Sequence, residues 1–164
     1  MGVLTTAYSI SKEQLYKIKK YKKNLDFILG LRMAKDSAWK LENYDFDKSA
    51  NNLCEILKGT GYEHSGIIFD VESFMYKKNG KYLNYEGYDV WFVDWSHVNR
   101  AAVELRDATF KNMQTKGLAN EVTDYYGKPI REKEYEYYVG DIENLQKFLK
   151  KTAEQNNSLL MVEG

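Results

Sequence analysis

Apolar positions recur along the chain with two periods, and each period predicts a different kind of element. Residues 3–10 set Thr and Tyr among aliphatic residues and read as a first strand. Ser11 follows as an N-cap, with Gln14 three residues on as its capping-box partner. The helix they open places Leu15 and Ile18 on one side and Lys12, Lys17, Lys19 and Lys20 on the other. A shorter helix over residues 24–31 uses Leu25, Ile28 and Leu29. Residues 32–42 stay undecided, with Trp39 and Leu41 as anchors of a loop.

The clearest helical stretch is residues 45–58, where Phe46, Ala50, Leu53, Cys54 and Leu57 share one face. Asp45 or Asp47 is expected to cap its start, and Gly59 to end it in the left-handed conformation. The Gly59–Gly66 stretch then reads as a loop, and residues 67–76 as strand or helix. Asn79-Gly80 signals a hairpin between residues 74–76 and 82–85. A strand over residues 90–93 leads to Ser96, the expected cap of a long helix using Val98, Ala101, Ala102, Leu105 and Thr109 and ending before Gly117. Gly127-Lys128-Pro129 marks a turn, and a strand is expected near residues 135–139. Asp141 is the expected cap of a last helix carrying Ile142, Leu145, Phe148, Leu149 and Ala153. Asn156-Asn157 turns the chain into a final buried strand over residues 158–162.

Helices and strands alternate in this way over 164 residues, the size of one domain. The expected architecture is α/β or α+β: a single layered domain, residues 1–164, with a mixed sheet flanked by helices. A hydrophobic share of 43% supplies a core. The 24 basic and 24 acidic residues cancel, which argues against bulk attraction to nucleic acid or anionic membrane. No apolar run approaches the roughly 18 residues of a membrane span, and the N-terminus lacks the pattern of a signal peptide. Cys54 is the only cysteine, so no intramolecular disulfide forms, and a reducing, cytoplasmic location is the expectation.

Several short stretches resemble a known family. Asp45-Phe46-Asp47-Lys48, then Leu53 and Leu57-Lys58-Gly59, is similar to the D-x-D-K…L…L-T-G helix of the YfbM-like family of uncharacterised bacterial proteins. Met1-Gly2 with Tyr8 and Ser11 resembles its N-terminus, and Trp95-Ser96-His97-Val98 its L-T-P-E-x-V step. Residues 135–138, Leu145, Phe148 and the last strand match its C-terminal part. The resemblance implies a layered α/β domain and no known activity. The chain departs from the pattern at Ala50 and Cys54, where relatives tend to carry Trp and His, and near Tyr125-Tyr126, where they often place a Trp. A site built on those residues in relatives would be missing here.

Candidate chemistry is sparse. Asp45 and Asp47 could bind a cation, but capping accounts for them, and no calcium-loop spacing follows. Two histidines and one cysteine do not make a zinc site of ordinary spacing, and no cofactor is expected. Asp94 and His97 stand where a strand leads into a helix, a common place for function in α/β proteins. They are weak catalytic candidates, because the G-x-S-x-G elbow that would make Ser96 a nucleophile is absent. The Gly59–Gly66 stretch lacks G-K-[ST] and is no phosphate loop. With Asp94 and His97 it forms the alternative site, for a small enzyme or a small-ligand-binding protein. The stronger hint is aromatic. The chain has 14 tyrosines, several interleaved with carboxylates. Tyr88, Asp89, Glu134, Tyr135, Glu136 and Tyr137 are the expected binding residues of a non-enzymatic module that contacts a basic protein partner. Alternating strand faces, Tyr inward and Glu outward, are the plainer account of the same pattern.

Overall fold

The computed structural model describes residues 4–33, 37–75 and 82–164. Strand β1 (Thr5–Ile10) leads into helices α1 (Lys12–Lys20) and α2 (Leu25–Ile28). Strand β2 (Asn43–Asp45) precedes α3 (Ala50–Gly59), α4 (Glu63–Ile67) and α5 (Glu72–Met75). The hairpin of β3 (Tyr82–Tyr85) and β4 (Tyr88–Val93) is followed by α6 (Trp95–Leu105) and α7 (Phe110–Ala119). Helices α8 (Glu132–Tyr135) and α9 (Val139–Glu154) then lead to β5 (Ser158–Glu163).

The strands join in the order β2-β1-β5-β4-β3. Side chains alternate across a strand, so the three central strands feed two cores. Trp91, Val93, Leu159, Met161 and Ala7 enter the larger one, against α3, α6 and α9. Val90, Phe92, Leu160, Val162 and Ile10 enter the smaller one, with Ile18 of α1 and Leu25 and Ile28 of α2. Burying each of these side chains stabilises the fold by about 1.5–3 kcal/mol before entropy is counted. The layered α/β class therefore stands. A mixed sheet was expected, yet every ladder is antiparallel. The run from α6 to α9 delivers the chain to the end of the sheet where β4 stops, so β5 runs back alongside it.

The first and last strands, the capping box of Ser11 and Gln14, and the buried face of α9 are as expected from the sequence. Elsewhere tertiary pairing overrides local pattern. The helix expected from residue 45 starts at Ala50, because Asp45 pairs across from Thr6 in β2 and Phe46 N–H donates to Thr5 O at 2.9 Å. Phe46 does reach the core, but from extended chain. Neither aspartate caps α3: Asp45 Oδ1 accepts from the Asp47 N–H at 3.1 Å, and Asp47 has φ 48°. Gly59 does not end the helix in the left-handed region. It is the last residue of α3 and packs against Val122, whereas the positive φ of 90° falls at Gly61.

The expected Gly59–Gly66 loop is half helix, with Ser65 and Gly66 buried in α4. The Asn79-Gly80 turn lies outside the described residues. Phe74 and Met75, expected as its first strand, are in α5. The hairpin present turns at Glu86-Gly87, with φ 51° and 86°, the two positive values of a type I′ turn. Ser96 is not the cap of α6. Asp94 holds the N-cap position with extended backbone, and the Trp95 N–H donates to Ser158 Oγ at 3.0 Å. That helix ends at Leu105, and Thr109 caps a second one that runs through Gly117, its hydroxyl accepting from Asn112 N–H at 3.2 Å. The strand expected near residues 135–139 is helical, formed by α8, a 3-10 turn at Glu136–Tyr138 and the start of α9. Asp141 therefore lies inside α9, where it accepts from Tyr44 Oη at 2.9 Å instead of capping.

Candidate functional site

The segment after α3 is fixed before any ligand is considered. Trp91 is fully buried in β4, and its indole N–H donates to Ile68 O at 2.9 Å. The Glu104 carboxylate of α6 accepts from the Ser65 N–H and Ser65 hydroxyl, both at 2.8 Å, and from the His64 N–H at 3.3 Å. Negative charge at the first turn of a helix is favourable, so Glu104 ties α4 to α6. This places His64 beside His97, with ring centroids 5.6 Å apart at 80°.

A cavity of about 370 Å³ opens there, at the end of β4. It is lined by His64, Asp94, His97 and Arg100, with Ser73, Ile67 and Phe74 on the α4–α5 side. The two stretches singled out in the sequence, Asp94 to His97 and Gly59 to Gly66, thus converge. His97 Nε2 lies 2.7 Å from the backbone oxygen of His64. A carbonyl oxygen only accepts, so Nε2 carries the hydrogen, and the Nδ1 of a neutral ring is left as an acceptor. Burial pushes the His97 pKa below its ordinary value of 6.5, outweighing the backbone hydrogen bond to His64 that works the other way. The ring is neutral at pH 7. Arg100 makes no ion pair among the described residues. The Ser73 hydroxyl donates to Asp70 Oδ2 at 3.0 Å, within a carboxylate site shared with Lys58 Nζ at 2.8 Å. Ser96 does not line the cavity, so it forms no nucleophilic set with His97. Among the described residues no group of three His, Cys, Asp or Glu is arranged for a metal ion.

Arg100 was missed in the sequence, although the spacing of three from Asp94 to His97 to Arg100 puts all three near one face of α6. Ser73, Ile67 and Phe74 had no signal, since their segment read equally as strand or helix.

The acidic-aromatic residues are dispersed. The Tyr88 ring packs against the smaller core. Asp89 accepts from Tyr82 Oη at 2.7 Å and from Asn84 Nδ2 at 2.9 Å. On the far side of the sheet, Tyr135 is fully buried in the larger core, so it is no surface residue. Glu134 accepts from the Arg131 N–H at 2.7 Å. Glu136 is exposed, and Tyr137 is 81% exposed. Nearby, the Asn52 side chain joins two segments: it accepts from Tyr125 N–H at 2.9 Å and donates to Tyr138 Oη at 2.7 Å.

Among the described residues no helix is long and apolar enough to cross a membrane. None of the curated proteins matches the chain. Among solved structures, it is similar to the crystal structure of a protein of unknown function, YfbM from Escherichia coli. That match has a TM-score of 0.57 and 15% identity, and covers 98% of this chain and 99% of that one. At that identity the likeness shows a shared fold. The family model described as "Domain of unknown function (DUF1877)" matches residues 1–162, so the chain belongs to this YfbM-like family.

Proposed function

We propose that the chain binds a small polar molecule in the cavity between α4, α5 and the start of α6. The observation that carries this reading is the convergence of His64, Asp94, His97 and Arg100 on one concave space, from two segments 33 residues apart. Arg100 offers a fixed positive charge with a forked set of donors, suited to a carboxylate or phosphate. His97 Nδ1 accepts hydrogen bonds, and Asp94 places a carboxylate on the lining. Ile67 and Phe74 give an apolar wall. The fitting ligand carries an anionic group and, a few ångströms away, hydrogen-bond donors. Amino acids and aminated sugar phosphates are of this kind. The reading is one of binding and assigns no bond-making step to the lining residues.

Thermal unfolding in the presence of a panel of amino acids, small carboxylates and phosphorylated sugars tests it. A ligand at 100 times its Kd stabilises by about 2.7 kcal/mol, which raises Tm by roughly 5–10 °C in a chain of this size. The rise should vanish in Arg100→Ala and shrink in His97→Gln, which keeps a donor for His64 O and loses the ring acceptor. A panel that leaves Tm unmoved, or a shift that survives in both variants, removes the reading.

A second reading keeps a basic protein partner, now confined to Tyr125, Tyr126 and Tyr137 with Glu134 and Glu136. It is favoured by exposures of 58%, 82% and 81% for the three tyrosines, and by the Asn52 bridge that fixes the Tyr125 backbone. Rigid exposed tyrosines are effective contact residues. Tyr126→Ala/Tyr137→Ala should lose basic proteins cross-linked to the wild-type chain; an unchanged cross-linked set counts against it.

A further inference from the structure

A separate concave surface lies between α6 and α9, with a volume of about 550 Å³. Its floor is apolar: Ala102 and Val103 from α6 and Ala153 from α9. Val103 is 58% exposed, whereas Val98, Ala101 and Leu105 of the same helix are buried. Its rim is cationic: Arg106, Lys147 and Lys150, against a single carboxylate, Glu154. The whole chain carries no net charge, so this excess is a local arrangement. The Arg106 guanidinium pairs with its neighbour Asp107 at 3.1 Å, both side chains over 70% exposed, so the uncompensated charge of the rim comes chiefly from Lys147 and Lys150. Lys147 and Lys150 make no ion pair among the described residues.

The groove is also rigid. Gln146 Nε2 donates to the carbonyls of Leu105 at 2.6 Å, Arg106 at 3.0 Å and Ala108 at 3.3 Å. One side chain of α9 thus holds the C-terminal end of α6 and the turn that follows it. Along α6 the lining positions are Asn99, Val103 and Arg106, and along α9 Lys147, Lys150 and Glu154. Both sets follow spacings of three and four, so each wall is one face of a helix, with the apolar Ala102 and Ala153 between the charged positions.

We propose that this groove docks an acidic amphipathic helix from a partner protein. The occupant's apolar face meets Ala102, Val103 and Ala153, and its carboxylates meet Arg106, Lys147 and Lys150. A helix suits the site better than a bilayer, because the cations rim a concave floor and a membrane surface is flat. This site is separate from the His64–His97 cavity and stands or falls without it.

The probe is a phage-displayed library of random peptides of about 16 residues, the length at which a short helix becomes stable, panned on the wild-type chain. The expected winners carry Asp and Glu beside apolar residues at positions i, i+3 or i+4 and i+7. By fluorescence anisotropy, their Kd should rise at least tenfold in Lys147→Glu/Lys150→Glu. It should rise about threefold in the milder Lys147→Gln/Lys150→Gln, which guards against a misfolded variant. It should also weaken as ionic strength goes from about 0.05 to about 0.3 M, and stay unchanged in His97→Gln. Winners that are basic or neutral, or that bind both double variants as well as wild type, overturn the proposal. Flotation on phosphatidylcholine vesicles with about one-quarter phosphatidylglycerol is the other arm. Vesicle binding lost in the double variants, with no acidic peptides enriched, would assign the patch to a lipid surface and also overturn it.

Discussion

Tyr135 shows how a single residue can mislead and still be informative. In the sequence it belongs to an acidic-aromatic run that reads as a contact surface. In the fold its ring is fully buried, and its hydroxyl is the one buried side-chain polar atom without a hydrogen-bond partner among the described residues. Burial pushes its pKa up, as it must for a phenol with nothing to stabilise the anion. The ring fits only because Gly117 of α7 has no side chain: a Cβ there would overlap the Tyr135 ring and hydroxyl. An unsatisfied buried hydroxyl costs about 1–3 kcal/mol, and a phenyl ring of the same shape carries no such cost. Tyr135→Phe is therefore expected to stabilise the chain by about 1 kcal/mol in urea unfolding. Gly117→Ala should destabilise it by about 1–3 kcal/mol through overpacking. A loss of stability in Tyr135→Phe would mean that the hydroxyl has a partner and that the packing account is wrong.

At the scale of elements, legibility follows burial. Strands β4 and β5 were readable because their residues are apolar on both faces, the pattern of strands covered on both sides. The helix α9 was readable because its buried positions keep a period near 3.6 over four turns. What failed were short elements whose fate is set by a neighbour. Phe46 matches a helical face and Asp45 a cap, yet the free edge of β1 captures them, and no local rule announces that edge. Glu132 to Tyr138 alternates like a strand, yet without a partner strand it folds as two helical turns.

The same sheet fixes Asp89 in an awkward place. It sits directly across from Glu163 in the β4–β5 ladder. Burial, with the Asp89 charge adding to it, raises the Glu163 pKa above its ordinary value of 4.5. Like charges in opposed positions of an antiparallel pair are destabilising by about 0.2–1 kcal/mol. The sign follows from linkage. The protonated Glu163 contributes stability that is fully present below pH 4.5 and is lost as pH rises through the raised folded value. Glu163→Gln should thus be more stable than wild type at pH 7 by up to about 1 kcal/mol, and the advantage should disappear near pH 4. Urea midpoints measured at the two pH values decide it: an equal difference at both would mean that the carboxylate charge is not the cause.

At the scale of the whole molecule, the candidate site was half legible. The sequence points to His97 and Asp94 by their place at a strand end, and to His64 by the glycine-rich stretch around it. It does not say that these stretches meet, since 33 residues separate the two histidines and the bond between them is from a ring nitrogen to a backbone oxygen. Their meeting depends on Glu104, a residue with no local signature, which binds the first turn of α4 from the last turn of α6. Helix α6 is therefore the organising element. One side is buried through Val98, Ala101 and Leu105, and a second meets α4 and the His64–His97 cavity. A third faces α9 and the cationic groove. The helix thus lines two separate concave surfaces on a chain whose overall charge is zero. Composition averages over those surfaces, which is why the balanced totals excluded bulk attraction to anions and yet gave no warning of a local patch where three cations rim an apolar floor.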